Sequence, residues 1–362
     1  MILRLFIVWR LGLLLVTYLG SKIFTLNLNT GLGSPAPGRN FDFWASWAQW
    51  DGGHYFRIAS QGYIDERSFA FFPIYPYLIK YTSFIFLGNY VFSGLIISNL
   101  AALIFFITFH KLVSNLYSKK TATVATITIM TFPTTFFLGA MYPESLFLLL
   151  TTLAFFYYFL QKPQKAAFSI SIAALTKFFG IFVVVSIILE QLVSSLKNKL
   201  SKKNIIWISL SAMPFLLYLI LLFDKFEDPF KFLSVQEYWE RKVTLPTTTV
   251  GSYLIPMLSL SNRPMNDYFD LLVTIIFFVL LLTSVKKIPF SVWFFSFIVL
   301  LIPISSGTLS SMPRYVLSSI GTFIIIAMLL EKSKKLSIFI WLISLTLQTL
   351  LAVLFVNGYW VA

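Results

Sequence analysis

Asp51 and His54 stand three residues apart in the run WAQWDGGHYF, so a helix would bring the carboxylate and the imidazole to one side, beside two glycines and among aromatic rings. A carboxylate in that setting is a candidate general base. The imidazole could orient a reactant or touch a phosphate, and a structural hydrogen bond fits it equally. Far along the chain Arg314 follows Pro313 at the head of an apolar run. Guanidinium binds phosphate oxygens bidentately, and the start of a helix favours anions; an arginine snorkelling to an interface is the plainer reading. Lys177 lies inside apolar sequence, where a cation is costly and usually functional. With no cysteine and only two histidines, His54 and His110, thiol catalysis and thiolate metal sites are excluded and a histidine-rich metal centre has too few ligands. No calcium-loop spacing appears. The expected chemistry uses no cofactor; clustered acids leave a divalent metal conceivable, but none is expected.

What must position these residues is a membrane fold. Of 362 residues, 58% are hydrophobic and 12% charged, about half the charged share of a soluble globular domain; mean hydropathy is +0.82. Apolar runs recur at 2–26, 88–109, 121–141, 143–160, 204–223, 268–285, 289–306, 313–330 and 336–357. The expectation is an all-α polytopic membrane protein, a single domain over 1–362 with about nine full spans. The first run lacks a small-residue cleavage site and is kept as a span.

A net charge of +14 would suggest nucleic acid in a soluble protein, but here it sits in short loops and no nucleic acid is expected. Lys111, Lys119, Lys120, Lys162, Lys165, Lys197, Lys199, Lys202, Lys203, Lys286, Lys287, Lys332, Lys334 and Lys335 mark loops expected, with the N-terminus, to be cytoplasmic. Residues 166–196 have lysines at both ends yet are too short for two crossings, which need about 40 residues. A re-entrant hairpin turning near Lys177–Gly180 fits, sheltered by protein or a wet cavity. One long tilted helix is the alternative, at odds with the loop charges. Every acid except Glu190 and Glu331 then falls on the outer side. Acids hardly influence insertion, so the chemistry is expected at that face, in the outer loops 27–87 and 224–267. The latter carries Asp228, Gln236, Trp239 and Arg241 as candidate sugar or acceptor contacts and is long enough to act as a lid.

Within the first of these loops, a helix from about Asp42 would align Trp47, Asp51, His54, Tyr55 and Ile58. Its aromatics, Trp50 and Tyr55 among them, suit an interfacial helix at headgroup level. Gly52 and Gly53 cost roughly 1 kcal/mol each relative to alanine, which close approach of a ligand or another backbone to Asp51 would offset. An anchor helix with incidental charges explains the aromatics but gains nothing from the acid–imidazole pair. AFFPIYPYLIKY follows as a second short helix, with Pro73 and Pro76 near its start.

The ordered set Trp50-Asp51, His54-Tyr55, Ile58-Ala59, Gly62-Tyr63, Ala70-Phe71-Phe72-Pro73 and Tyr75-Pro76 resembles the first luminal loop of the PIG-V mannosyltransferase family. The resemblance continues more weakly through Tyr142-Pro143-Glu144-Ser145, DPFKFLSVQEYW at 228–239 and Pro313-Arg314-Tyr315. It implies a GT-C fold, a polyprenyl-phosphate sugar donor and an essential acid in the first outer loop, which is Asp51. The family holds the eukaryotic enzyme that adds the second mannose to GPI anchors, and prokaryotic homologues. This short, loop-poor chain resembles the latter. The implied setting is a multi-pass protein of a prokaryotic cell membrane with its active site on the extracytoplasmic side. The hexose, mannose first among candidates, would pass to a lipid-linked glycan, glycolipid or protein acceptor.

Such transfer needs a base for the acceptor hydroxyl, Asp51, and a partner for the departing phosphate, Arg314 with Lys177 and His54. Direct attack inverts configuration with one carboxylate sufficing, so paired acids are not required. Trp50, Tyr55, Glu144, Tyr315, Gln236, Trp239 and Arg241 are the candidate sugar and acceptor contacts; Glu144 would equally cap its own helix. A membrane transporter or flippase of lipid-linked sugars, a scaffold, and a hydrolase of the same donors are the competing readings. Against transport stand the lack of an inverted repeat and the concentration of polar residues at one face.

Overall fold

Side-chain oxygens open helices where the sequence turns from polar to apolar. Asn89 accepts from the Phe92 N–H, Ser118 from Thr121 and Ser333 from Leu336, each at an N-cap; Pro163 and Pro246 occupy first-turn positions where a missing N–H costs nothing. The computed structural model describes residues 1–27, 31–34, 40–195, 202–259 and 263–361. Lys197 and Lys199 of the expected cytoplasmic loops, with 28–30, 35–39 and 260–262 of the expected outer loops, lie outside the described residues.

The described chain is helical throughout, without a strand. In order come α1 (Ile2–Ile23), α2 (Phe43–Ser46), α3 (Asp51–Gln61), α4 (Ile74–Thr82), α5 (Tyr90–Leu116), α6 (Lys119–Thr131), α7 (Glu144–Phe159), α8 (Pro163–Ala174) and α9 (Ile181–Ser195). Then follow α10 (Lys202–Leu210), α11 (Met213–Phe226), α12 (Lys231–Ser234), α13 (Pro246–Leu258), α14 (Met265–Leu282), α15 (Phe290–Ile304), α16 (Met312–Tyr315), α17 (Ile320–Leu330) and α18 (Lys334–Val356). Among the described residues α1, α5, the joined α10–α11, α14 and α18 are long and apolar enough to cross a membrane singly, while α7, α9 and α15 are shorter and apolar.

Two expected spans are broken. The run 121–141 is helical only to Thr131, 13 residues or about 20 Å; Phe132, preceding Pro133, is extended, as a residue before proline prefers. The freed carbonyls are satisfied internally, since the Gln348 amide of α18 donates to Met130 O at 3.1 Å and Phe132 O at 2.6 Å. That internal pairing is what lets a break survive in lipid. The run 313–330 is likewise two pieces: Met312–Ser318 and α17 meet at 84°.

The chain packs as two compact units, one of residues 1–149 with 330–361, the other of 150–329. In the first, Trp9 of α1 donates to Gln348 of α18 at 2.8 Å, tying both helices to the end of α6. In the second, α8 and α9 are separated by Leu175–Lys177 and a turn of 3-10 helix over Phe178–Gly180. Gly180 is obligatory there, because a Cβ would stand 2.3 Å from the backbone of Ala173. Glu190 of α9 accepts from the Ser291 N–H at 2.6 Å and so caps α15.

Candidate active site

Asp51 begins α3, where the helix dipole favours a negative charge. The preceding segment is fixed by hydrogen bonds of main chain and side chain. The Met141 N–H donates to Trp47 O at 3.0 Å, the Tyr142 hydroxyl to Gln49 O at 2.8 Å, and the Gln49 amide to Ser34 Oγ at 2.9 Å. Trp50, immediately before Asp51, has φ 56° and ψ −117°, a left-handed conformation that bulky residues rarely take and that costs on the order of 1–3 kcal/mol. Its ring is braced edge-on against Trp360 at 5.1 Å. The two glycines separate in role: a Cβ on Gly52 would meet Met141 O at 3.3 Å, so it admits a neighbouring backbone, whereas Gly53 faces open space.

His54 stacks on Phe71, centroids 4.6 Å apart and planes 16° from parallel. Burial lowers its pKa, opposed by the neighbouring Asp51 carboxylate, so the imidazole is neutral at neutral pH. Tyr55 is buried edge-on against Phe71 and Tyr75, so packing accounts for its ring. Arg57 pairs with Asp65 at 2.6 Å, both partly exposed, and Asp65 also caps a 3-10 turn.

Glu144, nearly fully buried, opens α7. The stretch leading to it, Met141–Tyr142, is the one that clamps Trp47 and Gln49, and Tyr142 O is itself held by Ser98 Oγ at 3.0 Å. Two acid-bearing helix starts, α3 and α7, are therefore joined through their approach segments within one unit.

The second unit gathers cations. Lys177 Nζ lies 5.7 Å, Arg241 Cζ 5.5 Å and Arg314 Cζ 5.8 Å from the centroid of the Tyr315 ring, all within cation–π reach. Lys177 comes from the break between α8 and α9, Arg241 from the loop after α12, Arg314 and Tyr315 from α16. Arg241 is anchored by donation to Ser306 Oγ at 3.0 Å and Ser310 O at 2.8 Å. Beside it Lys242 and Thr244 N–H groups donate to Ser306 O and Ser305 O, each at 3.0 Å. Arg314 is buried, but α16 is four residues long, too short to supply the helix-start field expected of it. Lys177 is half-buried rather than buried. Gln236 directs its amide at Phe232 O, 3.4 Å away, and Trp239 is half-buried; Asp228 closes a local turn on the Phe230 N–H and Ser234.

Asp51, His54, Tyr55, Trp50 and Glu144 thus belong to one unit, and Lys177, Arg241, Arg314 and Tyr315 form one group in the other. Arg10, which by sequence position flanks the first span, lies within α1 and is buried. An arginine eight residues into an apolar helix is the signal the sequence carries. Among the described residues no three His, Asp or Glu side chains are grouped as metal ligands.

Fold and composition define an integral membrane protein, polytopic and all-helical among the described residues. The family model described as Mannosyltransferase (PIG-V) matches residues 37–249, more than half of the sequence. The chain belongs to that family. Among solved structures, ArnT from Cupriavidus metallidurans bound to undecaprenyl phosphate is similar with TM-score 0.55 and 13% identity over 93% of this chain and 62% of ArnT. Apo ArnT gives 0.56 and 14% over 94% and 62%. The apo oligosaccharyltransferase of Archaeoglobus fulgidus gives 0.51 and 12% over 98% and 56%. At such identities the likeness is one of fold, and the chain spans less than two thirds of those proteins' lengths. No curated protein matches the sequence.

Proposed function

We propose that the protein is an inverting glycosyltransferase that moves a hexose, mannose first, from a polyprenyl-phosphate carrier to a lipid-linked glycan, glycolipid or protein acceptor. The setting is the extracytoplasmic face of a prokaryotic cell membrane. The observation that carries the reading is the convergence of Lys177, Arg241 and Arg314 on Tyr315, three positive charges from three segments beside one aromatic ring. Such a group suits a phosphodiester that links a lipid to a hexose: cations for the oxygens, a ring for the sugar face. The undecaprenyl phosphate bound by ArnT supports a polyprenyl carrier by fold analogy.

In the proposed reaction an acceptor hydroxyl oxygen attacks the anomeric carbon while the bond from that carbon to the phosphate oxygen breaks. The bonding pair leaves with the phosphate, whose added charge Lys177, Arg241 and Arg314 stabilise. The hydroxyl proton passes to the Asp51 carboxylate. Glu144, Trp50, Tyr315, Gln236 and Trp239 are proposed to orient sugar and acceptor, and no metal is assigned a step.

The test is turnover by purified protein of polyprenyl-phosphate hexoses with candidate acceptors, comparing the wild type with Asp51→Asn. Glycoside formation that falls by roughly 10² to 10⁴ in the variant supports the assignment. Release of lipid phosphate without glycoside would make it a hydrolase. Solute or lipid movement in vesicles without turnover would make it a transporter, and undiminished transfer by Asp51→Asn would remove the base.

A further inference from the structure

Arg10 sits in the middle of α1, about 20 Å along the axis from Ile23 at 1.5 Å per residue, and is almost completely buried. Its Nη2 donates to the Gly139 carbonyl at 2.9 Å, and its guanidinium lies over the Trp47 ring, 4.2 Å from the centroid. Asn99 of α5 donates to the same carbonyl at 3.2 Å. A Cβ on Gly139 would stand 2.7 Å from Arg10 Cζ and Nη1, so a side chain there would push the guanidinium aside. Nη1 has no acceptor among the described residues, so the group is kept at some cost.

Its two contacts fall on the two segments that clamp the acids. Trp47 lies four residues before Asp51 and bonds Met141 through its carbonyl; Gly139 lies two residues before Met141 and five before Glu144. A cation at that depth is expensive and usually serves function. The proposed phosphate chemistry does not use this one, whose described partners are a peptide carbonyl and an indole.

We propose that Arg10 is a positioning residue that sets the Asp51 and Glu144 helix starts relative to each other. It stacks on Trp47 while it bonds Gly139, a double contact for which a planar guanidinium is suited and a lysine is not. The proposal rests on the reading of Asp51 as the base.

The experiment uses the full chain with Arg10→Met and Arg10→Lys. Expected for Arg10→Met is a kcat loss of roughly tenfold to a hundredfold, with KM for the polyprenyl-phosphate hexose within about twofold and Arg10→Lys rescuing only part. Should Arg10→Met not accumulate, Arg10→Lys carries the same test. Unchanged kcat, or a loss expressed wholly in KM, overturns the proposal. An independent readout uses the natural absence of cysteine: Gly53→Cys, which faces open space, is labelled by a membrane-impermeant maleimide with and without the Arg10 substitution. An altered labelling rate supports the placement and an equal rate overturns it. If Asp51→Asn transfers sugar like the wild type, the functional reading falls while the labelling comparison still decides whether Arg10 positions this segment.

Discussion

Asp51 and Glu144 stand on helix starts whose approach segments hydrogen-bond to each other through the main chain, whereas Lys177, Arg241 and Arg314 reach one ring from three separate segments by long side chains. The first construction leaves the carboxylates little freedom, and even holds Trp50 in a left-handed conformation. The second holds charge in a neighbourhood. Proton transfer demands hydrogen-bond reach of one atom; an anion is attracted by several cations at once and tolerates small displacements. The acid region should therefore fail abruptly on substitution, and the cation region by degrees.

The largest expected effect is that of Asp51→Asn, roughly 10² to 10⁴ in kcat with donor KM little changed. Single substitutions Lys177→Ala, Arg241→Ala and Arg314→Ala should each cost roughly tenfold to a hundredfold in kcat/KM for the donor, the equivalent of one or two charge-assisted hydrogen bonds. Double substitutions should be worse than either single. Steady-state kinetics on the same donor series separate the two patterns. If one cation removal matched Asp51→Asn while its neighbours were silent, the contrast between the regions would fail.

Next in size is a change in the scaffold under Lys177. Gly180→Ala puts a Cβ 2.3 Å from the backbone of Ala173, so the turn between α8 and α9 has to open. A destabilisation of about 1–3 kcal/mol or more is expected, read as a lower thermal midpoint and weaker donor binding. Gly53→Ala, facing open space, should leave the midpoint nearly unaltered.

How much of this was legible in the sequence differs between the regions too. The acid loop announced itself locally, since Asp51, His54 and the glycines lie within four consecutive positions. The break at Lys177 followed from loop charges and length. That Arg241 shares Tyr315 with Lys177 and Arg314 joins positions up to 138 residues apart, which periodicity cannot report. Hydropathy drew 121–141 as one span because it weighs apolarity and not the backbone, and Phe132-Pro133 ended the helix inside it. The two acids not expected at the outer face have structural occupations: Glu190 caps α15, and Glu331 accepts from the Thr121 hydroxyl at 2.7 Å. The burial of Arg10 comes from Trp47 and Gly139, 37 and 129 residues away in the sequence.

A smaller effect should come from pH. Burial lowers the His54 pKa below its ordinary value of 6.5, so the unfolded chain binds the proton more readily. Stability from the neutral imidazole is complete above that ordinary value and is lost as pH falls from it towards the lowered folded value. Thermal unfolding between pH 7.5 and 5.5 should show a decline that His54→Gln reduces. An equal decline in the variant would mean that the stacked ring does not report on the acid region.

The smallest effect sharpens the boundary of that region. Arg57 is one turn beyond His54 on α3 and pairs with Asp65, with side-chain exposures of 37% and 38%. A pair that exposed contributes about 0–1 kcal/mol, because water screens the charges and both side chains lose freedom. Arg57→Gln should therefore lower the thermal midpoint only slightly and change kcat by less than about twofold. Asp65→Asn should behave alike, keeping an oxygen to accept the Ser68 N–H. If kcat fell tenfold in Arg57→Gln while the midpoint held, the guanidinium would be acting on substrate and not on Asp65. The acid region would then carry a cation of its own, and its contrast with the Tyr315 group would be one of rigidity and no longer of charge.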